Sequence, residues 1–370
     1  MFSSAVNPWP MEQGLPDRPR KGRGSVSNRT GRFERHAVEA VDDGWGTAED
    51  EPPPLRTTLT RDTSKTIIAR NESPDVPFDR SINPYRGCEH GCVYCFARPT
   101  HAYLGLSPGL DFESRLLFKP DAARLLEREL RRPGYRCQVI AMGTNTDPYQ
   151  PVERRLGITR EILKVLSAFN HPVGIVTKST LVLRDLDILA PMAARGLAQV
   201  CVSVTTLDRS LAARLEPRAA TPPRRIETIR RLAEAGIPVG VMVAPVIPAL
   251  TDAEMESIIE TARNAGAAAA GYILLRLPRE IAGLFEEWLA EHAPLKAERA
   301  LALVRQARGG RPYESAFGRR MTGTGHYAEM LATRFRLASR RLGLENGERF
   351  RLTTARFSPP LARDGQLALF

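Results

Sequence analysis

Three of the chain's five cysteines fall within eight residues, in Gly87-Cys88-Glu89-His90-Gly91-Cys92-Val93-Tyr94-Cys95. Thiols crowded on one loop in the spacing CxxxCxxC repel as thiolates and oxidise readily, so such a loop is best explained by a soft metal. A structural zinc site closes its sphere with four protein ligands. A cubane iron–sulfur cluster held by three cysteines leaves one iron open to another ligand. A zinc reading stays open only if His90, His101 or a distant cysteine supplies a fourth ligand. Cys137 and Cys201 lie in apolar, strand-like text and read as small buried hydrophobes.

The 370 residues allow one large domain or two ordinary ones. Reduced clustered thiols, no secretory pattern after Met1 and no apolar run of membrane-spanning length predict a cytoplasmic protein without a membrane segment. The net charge of +11 points to an acidic partner, nucleic acid first. An arginine-rich style of composition is the plainer account of the same charge.

Residues 1–62 carry Pro, Gly, Ser and charge without apolar periodicity. A basic run from Arg18 to Arg35 precedes an acidic one from Asp42 to Glu51, and the stretch is expected to be a disordered tail. From about residue 63 to 290, apolar β-branched runs alternate with segments of helical period. Strands are expected at Ser81–Arg86, Gln138–Met142, Pro172–Thr177, Ala198–Val204, Pro238–Ala244 and Gly271–Leu275. The intervening helices are expected near 120–132, 154–169, 184–195, 222–235 and 252–265. Six strand–helix units predict an α/β fold with parallel strands and right-handed crossovers, a partial (β/α)6 barrel, although pattern alone also admits an open doubly wound sheet. Residues 291–360 read as an arginine-rich helical extension and 361–370 as a flexible tail.

The words around the cysteines narrow this further. Asn83-Pro84-Tyr85-Arg86-Gly87-Cys88 leads in, Tyr94-Cys95-Phe96-Ala97-Arg98 leads out, and Gly143-Thr144-Asn145-Thr146-Asp147-Pro148-Tyr149-Gln150-Pro151-Val152-Glu153 follows. Over roughly residues 65–345 the chain resembles the spore photoproduct lyase-related branch of the radical S-adenosylmethionine (SAM) superfamily, a branch made up mostly of uncharacterised members. The resemblance implies a [4Fe–4S] cluster on Cys88, Cys92 and Cys95 whose open iron binds SAM. Reductive cleavage would then give methionine and a 5′-deoxyadenosyl radical, with the electron drawn from a reductase such as flavodoxin or ferredoxin. It further implies SAM contacts from Tyr94, Thr146, Asp147, Lys178 and Ser203 near the carboxyl ends of the strands. In one respect the sequence departs from the pattern. Where the lyase has a hydrogen-donating cysteine this chain has Thr144, and a hydroxyl O–H bond is too strong for that role.

The last residues, Gln366-Leu367-Ala368-Leu369-Phe370, resemble the short peptide by which bacterial replication and repair proteins dock on the sliding clamp. The expectation is therefore a radical SAM enzyme acting on nucleic acid in DNA repair or modification, with Gln366, Leu367, Leu369 and Phe370 as clamp-binding residues. A radical SAM enzyme acting on a protein, peptide or tRNA, and a non-catalytic metal-stabilised nucleic-acid-binding module, are the competing readings.

Overall fold

Short β-branched runs such as Val173–Thr177 and Ala198–Ser203 suit a sheet covered on both faces, and they lie at its centre. The computed structural model describes residues 18–34, 54–344 and 350–361. Its strands are β1 (Thr58–Arg61), β2 (Ile68–Arg70), β3 (Arg80–Ile82), β4 (Tyr85–Arg86), β5 (Arg115–Phe118), β6 (Ile140–Met142), β7 (Val173–Thr177), β8 (Ala198–Ser203), β9 (Val239–Val246) and β10 (Ala269–Leu274). Six of them, β3, β6, β7, β8, β9 and β10, pair parallel in that spatial order, and β2 closes the β3 edge antiparallel. The register runs Arg80↔Ile140, Ile140↔Val173, Val173↔Ala198 and Val200↔Val239.

A strand order that follows the sequence without reversal decides between the two architectures. Right-handed crossovers that never change direction put every helix on one face, and a doubly wound sheet needs a reversal. The sheet is the partial barrel. Its helices include Ala122–Leu130, Ile158–Ala168, Leu186–Ala194, Pro222–Glu234 and Met255–Asn264, one after each of the strands β5 to β9. Gly157, in the left-handed region at φ 67°, splits the helix expected over 154–169 into Glu153–Leu156 and Ile158–Ala168.

The strand expected over 81–86 is two strands in two sheets. Pro84 has no N–H to give to a ladder, so the chain leaves β3 after Ile82. It then pairs Tyr85 and Arg86 with β5, in a second sheet of order β1-β5-β4. This kink delivers Gly87 and the cysteines to the carboxyl end of the large sheet.

The tail expected over residues 1–62 needs correction in part. Arg23, Ser25, Val26 and Ser27 are buried, and Thr58–Arg61 forms β1. Polar side chains order this stretch where apolar periodicity is lacking, because Glu113 supplies the acceptors its backbone needs. Cys137 and Cys201 are half-buried rather than core, with thiols raised to about 11 and about 12 by burial.

Beyond β10, helices Ile281–His292 and Pro294–Gln306 bring Phe285, Trp288, Ala300 and Val304 into a core shared with Val93 and Tyr94 of the cysteine loop. Helix His326–Arg341 is fastened to Met255–Asn264 by Arg334 on Glu256 at 2.6 Å. Among the described residues no helix is long and apolar enough to cross a membrane. Gln366, Leu367, Leu369 and Phe370 lie outside the described residues.

Candidate active site at the carboxyl ends of the strands

The cysteine loop is held from three sides. Gln150, in the turn after β6, donates from Nε2 to the Gly87 carbonyl at 3.1 Å and accepts the Glu89 N–H at 2.8 Å. On the second side, the Val93 N–H donates to the Leu215 carbonyl at 3.2 Å, beyond β8. On the third, the wholly buried Arg98 donates to the carbonyls of Cys92 at 2.9 Å, Gly91 at 3.2 Å and Gly109 at 2.8 Å. Its charge is balanced by the buried carboxylate of Glu113. Glu113 also accepts the N–H groups of Gly24 and Ser25, each at 2.9 Å, which seats residues 23–27 against the loop. The approach is close: a Cβ on Gly24 would stand 1.8 Å from the Gly91 carbonyl oxygen.

Cys88 and Cys92 are buried and Cys95 is half-buried. Burial pushes all three thiols up, and on Cys88 the negative charges of Asp147, Cys92 and Cys95 add to the rise. Coordination reverses that shift, because a metal centre deprotonates its thiols outright. The two histidines that a zinc site would draw on are engaged elsewhere. His90 Nδ1 lies 3.3 Å from Asp147, and His101 Nε2 is 3.0 Å from the Arg115 carbonyl oxygen. Among the described residues no group of three or more His, Cys, Asp or Glu is arranged to hold a single ion.

The remaining expected residues converge on this loop in two networks. In the first, Asp147 Oδ2 accepts the Lys178 N–H at 2.8 Å and faces His90, while Oδ1 accepts the Thr177 hydroxyl at 2.7 Å and the Tyr149 N–H at 2.9 Å. Burial alone would raise the Asp147 pKa; His90 and these donors outweigh it and hold the carboxyl below its usual range. Thr146 is fixed beside it, its hydroxyl on the Tyr85 carbonyl at 3.2 Å.

The second network centres on Glu216, which is buried. Its carboxylate accepts from the Tyr94 hydroxyl, from Thr205 at 2.6 Å and from Arg225, with Lys178 Nζ at 3.7 Å. Lys178 Nζ also donates to the Ala244 carbonyl at 3.1 Å. Burial lowers the Lys178 pKa to about 8. Ser203 enters through its backbone, its carbonyl accepting Arg225 Nη1 at 3.1 Å, and Thr205 is the strand-end hydroxyl that joins the network. Glu216, Arg225 and Thr205 escape a reading by motif, while Gln150 lies within the Gly143–Glu153 run without being singled out there. Glu216 is 38 positions beyond Lys178, past two helices and β8, directly after the helix Arg209–Leu215.

A sequentially ordered parallel sheet with three thiols at its carboxyl end defines the class. The chain belongs to the radical SAM superfamily, which its residues 82–262 match, and it is a radical SAM enzyme. An uncharacterized protein of Mycobacterium tuberculosis is 40% identical over 243 residues, which is 64% of this chain and 72% of that protein. An uncharacterized protein of Methanocaldococcus jannaschii is 29% identical over 173 residues, 47% of this chain and 62% of the relative. Among solved structures, a spore photoproduct lyase complexed with dinucleoside spore photoproduct superposes with a TM-score of 0.54 at 15% identity, covering 77% of this chain and 78% of that one. At that identity the likeness concerns the fold. Enzymes of this superfamily use a [4Fe–4S] cluster and SAM, and three thiols on one loop beside buried cations fit an anionic cluster.

Proposed function

We propose that Cys88, Cys92 and Cys95 hold three irons of a [4Fe–4S] cluster and that the two networks at the strand ends bind and orient SAM on it. When bound and reduced, the cluster supplies the one electron that cleaves SAM to methionine and a 5′-deoxyadenosyl radical. The observation that carries this reading is the meeting of the cysteine loop with both Asp147 and Glu216. The first fixes the Lys178 backbone and the second its ammonium. Lys178 supplies a cation for the SAM carboxylate, and its nearness to Cys92 and Cys95 keeps it beside the cluster loop. Tyr94 is pinned by Thr205 and Glu216, so its ring forms a fixed wall next to Cys95. Asp147, with both oxygens engaged by protein donors, acts as a positioning residue, with Thr146 beside it and Ser203 at the strand end on the Glu216 side.

The substrate we infer is nucleic acid, within DNA repair or modification. The net charge of +11 supports this, as does the likeness in fold to a protein solved with a dinucleoside photoproduct. The route is not the lyase's own. Thr144 stands where that enzyme has its cysteine, its hydroxyl held 3.1 Å from Asn83 Nδ2, and an O–H bond of that strength does not return a hydrogen atom to a carbon radical. The C-terminal Gln366–Phe370 peptide would tether the enzyme to a sliding clamp and raise its effective concentration on DNA.

The test is anaerobic reconstitution with iron and sulfide, followed by measurement of reductive SAM cleavage. Cleavage by the wild-type protein, and its loss together with iron binding in Cys92→Ala, is the expected result. Retained 5′-deoxyadenosine formation in that variant would end the proposal. For the tether, deletion of residues 366–370 should abolish co-elution with a bacterial sliding clamp.

A further inference from the structure

Two arginines stand near the carboxyl end of β10, and they do different work. Arg308 is buried and caps the strand end: Nη2 donates to the carbonyls of Leu274 at 3.0 Å and Leu275 at 2.9 Å, and Nη1 to those of Arg319 and Arg320 at 3.0 and 2.8 Å. With the cap filled, Arg276 is left over. Its guanidinium lies 4.4 Å from the ring centroid of Phe96, the residue directly after Cys95, and it has no carboxylate or carbonyl partner among the described residues. Phe96 itself is 43% exposed. Cys95, Asp75 and Tyr313 lie near enough to act on it, yet among the described residues none accepts a hydrogen bond from it, so its buried donors remain for an acceptor from outside.

The segment 309–320 lies over the same strand end, because Arg308 holds its carbonyls and Asp75 accepts the Gly318 N–H at 2.6 Å and pairs with Arg320. It presents a second stack of the same kind, Arg320 over Phe317 at 4.8 Å, with Phe317 58% exposed. Arg311 and Arg319 are exposed beside it. The groups acting on this patch are Arg276, Arg308, Arg311, Arg319 and Arg320 against Tyr313, Cys95, Asp75 and Glu314. Cations interleaved with exposed aromatic faces are what a single nucleic-acid strand uses, phosphates on the charges and bases on the rings. An acidic peptide would need the cations but not the faces.

We propose that Arg276 and Phe96, with Arg319 and Phe317, form the docking site for a single-stranded nucleic-acid segment, in which Arg276 takes a phosphate beside the nucleotide presented at the mouth of the barrel. The proposal rests on the nucleic-acid reading above and adds the place and the contacts.

Anaerobically reconstituted full-length protein, titrated against a short labelled single-stranded DNA by fluorescence anisotropy over a salt series, tests it. Arg276→Ala should weaken binding by roughly tenfold and flatten the dependence of log affinity on log salt by about 0.7, one phosphate's share on a single strand. Phe317→Ala should weaken binding by about tenfold or more while leaving the salt slope unchanged. Arg276→Lys, which keeps the charge and loses the planar stack, should keep the slope, and circular dichroism of each variant verifies that it is folded. If the wild-type protein binds the oligonucleotide and Arg276→Ala binds it with the same affinity and slope, the site is refuted while the nucleic-acid reading stands. If the wild-type protein binds no oligonucleotide, both fall. Displacement of the oligonucleotide by polyglutamate at equal charge concentration would refute phosphate-and-base recognition in favour of an acidic peptide.

Discussion

Asp147 and His90 face each other at 3.3 Å, joining the turn after β6 to the middle of the cysteine loop. The same carboxylate accepts the Lys178 N–H, so one side chain sets both the loop and the end of β7. Asp147→Asn keeps the volume but removes the charge and one acceptor. The expected outcome is an intact fold with weaker SAM binding, by roughly tenfold, measured by equilibrium dialysis on the reconstituted protein. An unchanged affinity would show that the loop and β7 are aligned without it.

Glu216 is the anion at the centre of a buried group containing Arg225 and Lys178. Removing one partner of a buried pair leaves an uncompensated charge, so Glu216→Gln should lose about 3 kcal/mol of stability in denaturant titration. Tyr94→Phe removes the hydroxyl's contacts with Glu216 and Thr205 but leaves the charges paired, and should cost about 1.5 kcal/mol. The ratio of the two separates a charge network from a set of ordinary polar contacts.

Gly24→Ala places a methyl 1.8 Å from a backbone oxygen of the cluster loop, where neither side has a flexible end to yield. The segment around Arg23–Ser27 should lift away from Glu113. The expected consequences are faster cleavage of this segment by trypsin and a severalfold faster loss of iron in air, since the loop loses its cover. Equal rates for the variant and the wild-type protein would count against a protective role for the strap.

His171, far from the cysteines, provides the pH prediction. Its ring is buried, with Nδ1 3.0 Å from the Pro172 carbonyl oxygen and Nε2 2.8 Å from the Tyr135 hydroxyl, which fits a neutral ring donating from Nδ1. Burial lowers its pKa from 6.5 to about 4. The unfolded chain therefore takes up the proton first as pH falls, so the contribution is complete above pH 6.5 and is lost progressively between 6.5 and about 4. Between pH 7 and pH 5 the loss should be about 2 kcal/mol. His171→Asn, which keeps a donor near Pro172 but cannot charge, should show a correspondingly smaller loss over the same range.

The arginine-rich extension illustrates what composition conceals. Arg308 caps strand carbonyls, Arg320 holds Asp75 and Arg334 holds Glu256, so these three serve the fold. Arg276, Arg311 and Arg319 differ from them only in what stands opposite, and no property of the sequence near them marks the difference.

The cysteine spacing, the alternation of β-branched runs with helical periods and the Gly143–Glu153 motif are written in consecutive residues. Strand period and ligand spacing are local, so the α/β class, the cysteine loop and the places of Asp147 and Lys178 were legible before any coordinate. The strand order without reversal, the break at Pro84 and the burial of residues 23–27 depend on contacts between distant segments. Glu113 and Gly24 are 89 positions apart, and Tyr94 and Glu216 are 122 apart. Such partners share no period or spacing. Only the closure of the sheet brings Glu216, Arg225 and Gln150 to the cysteines, and with the β10 cap filled by Arg308, Arg276 stands over Phe96 with no carboxylate or carbonyl partner among the described residues.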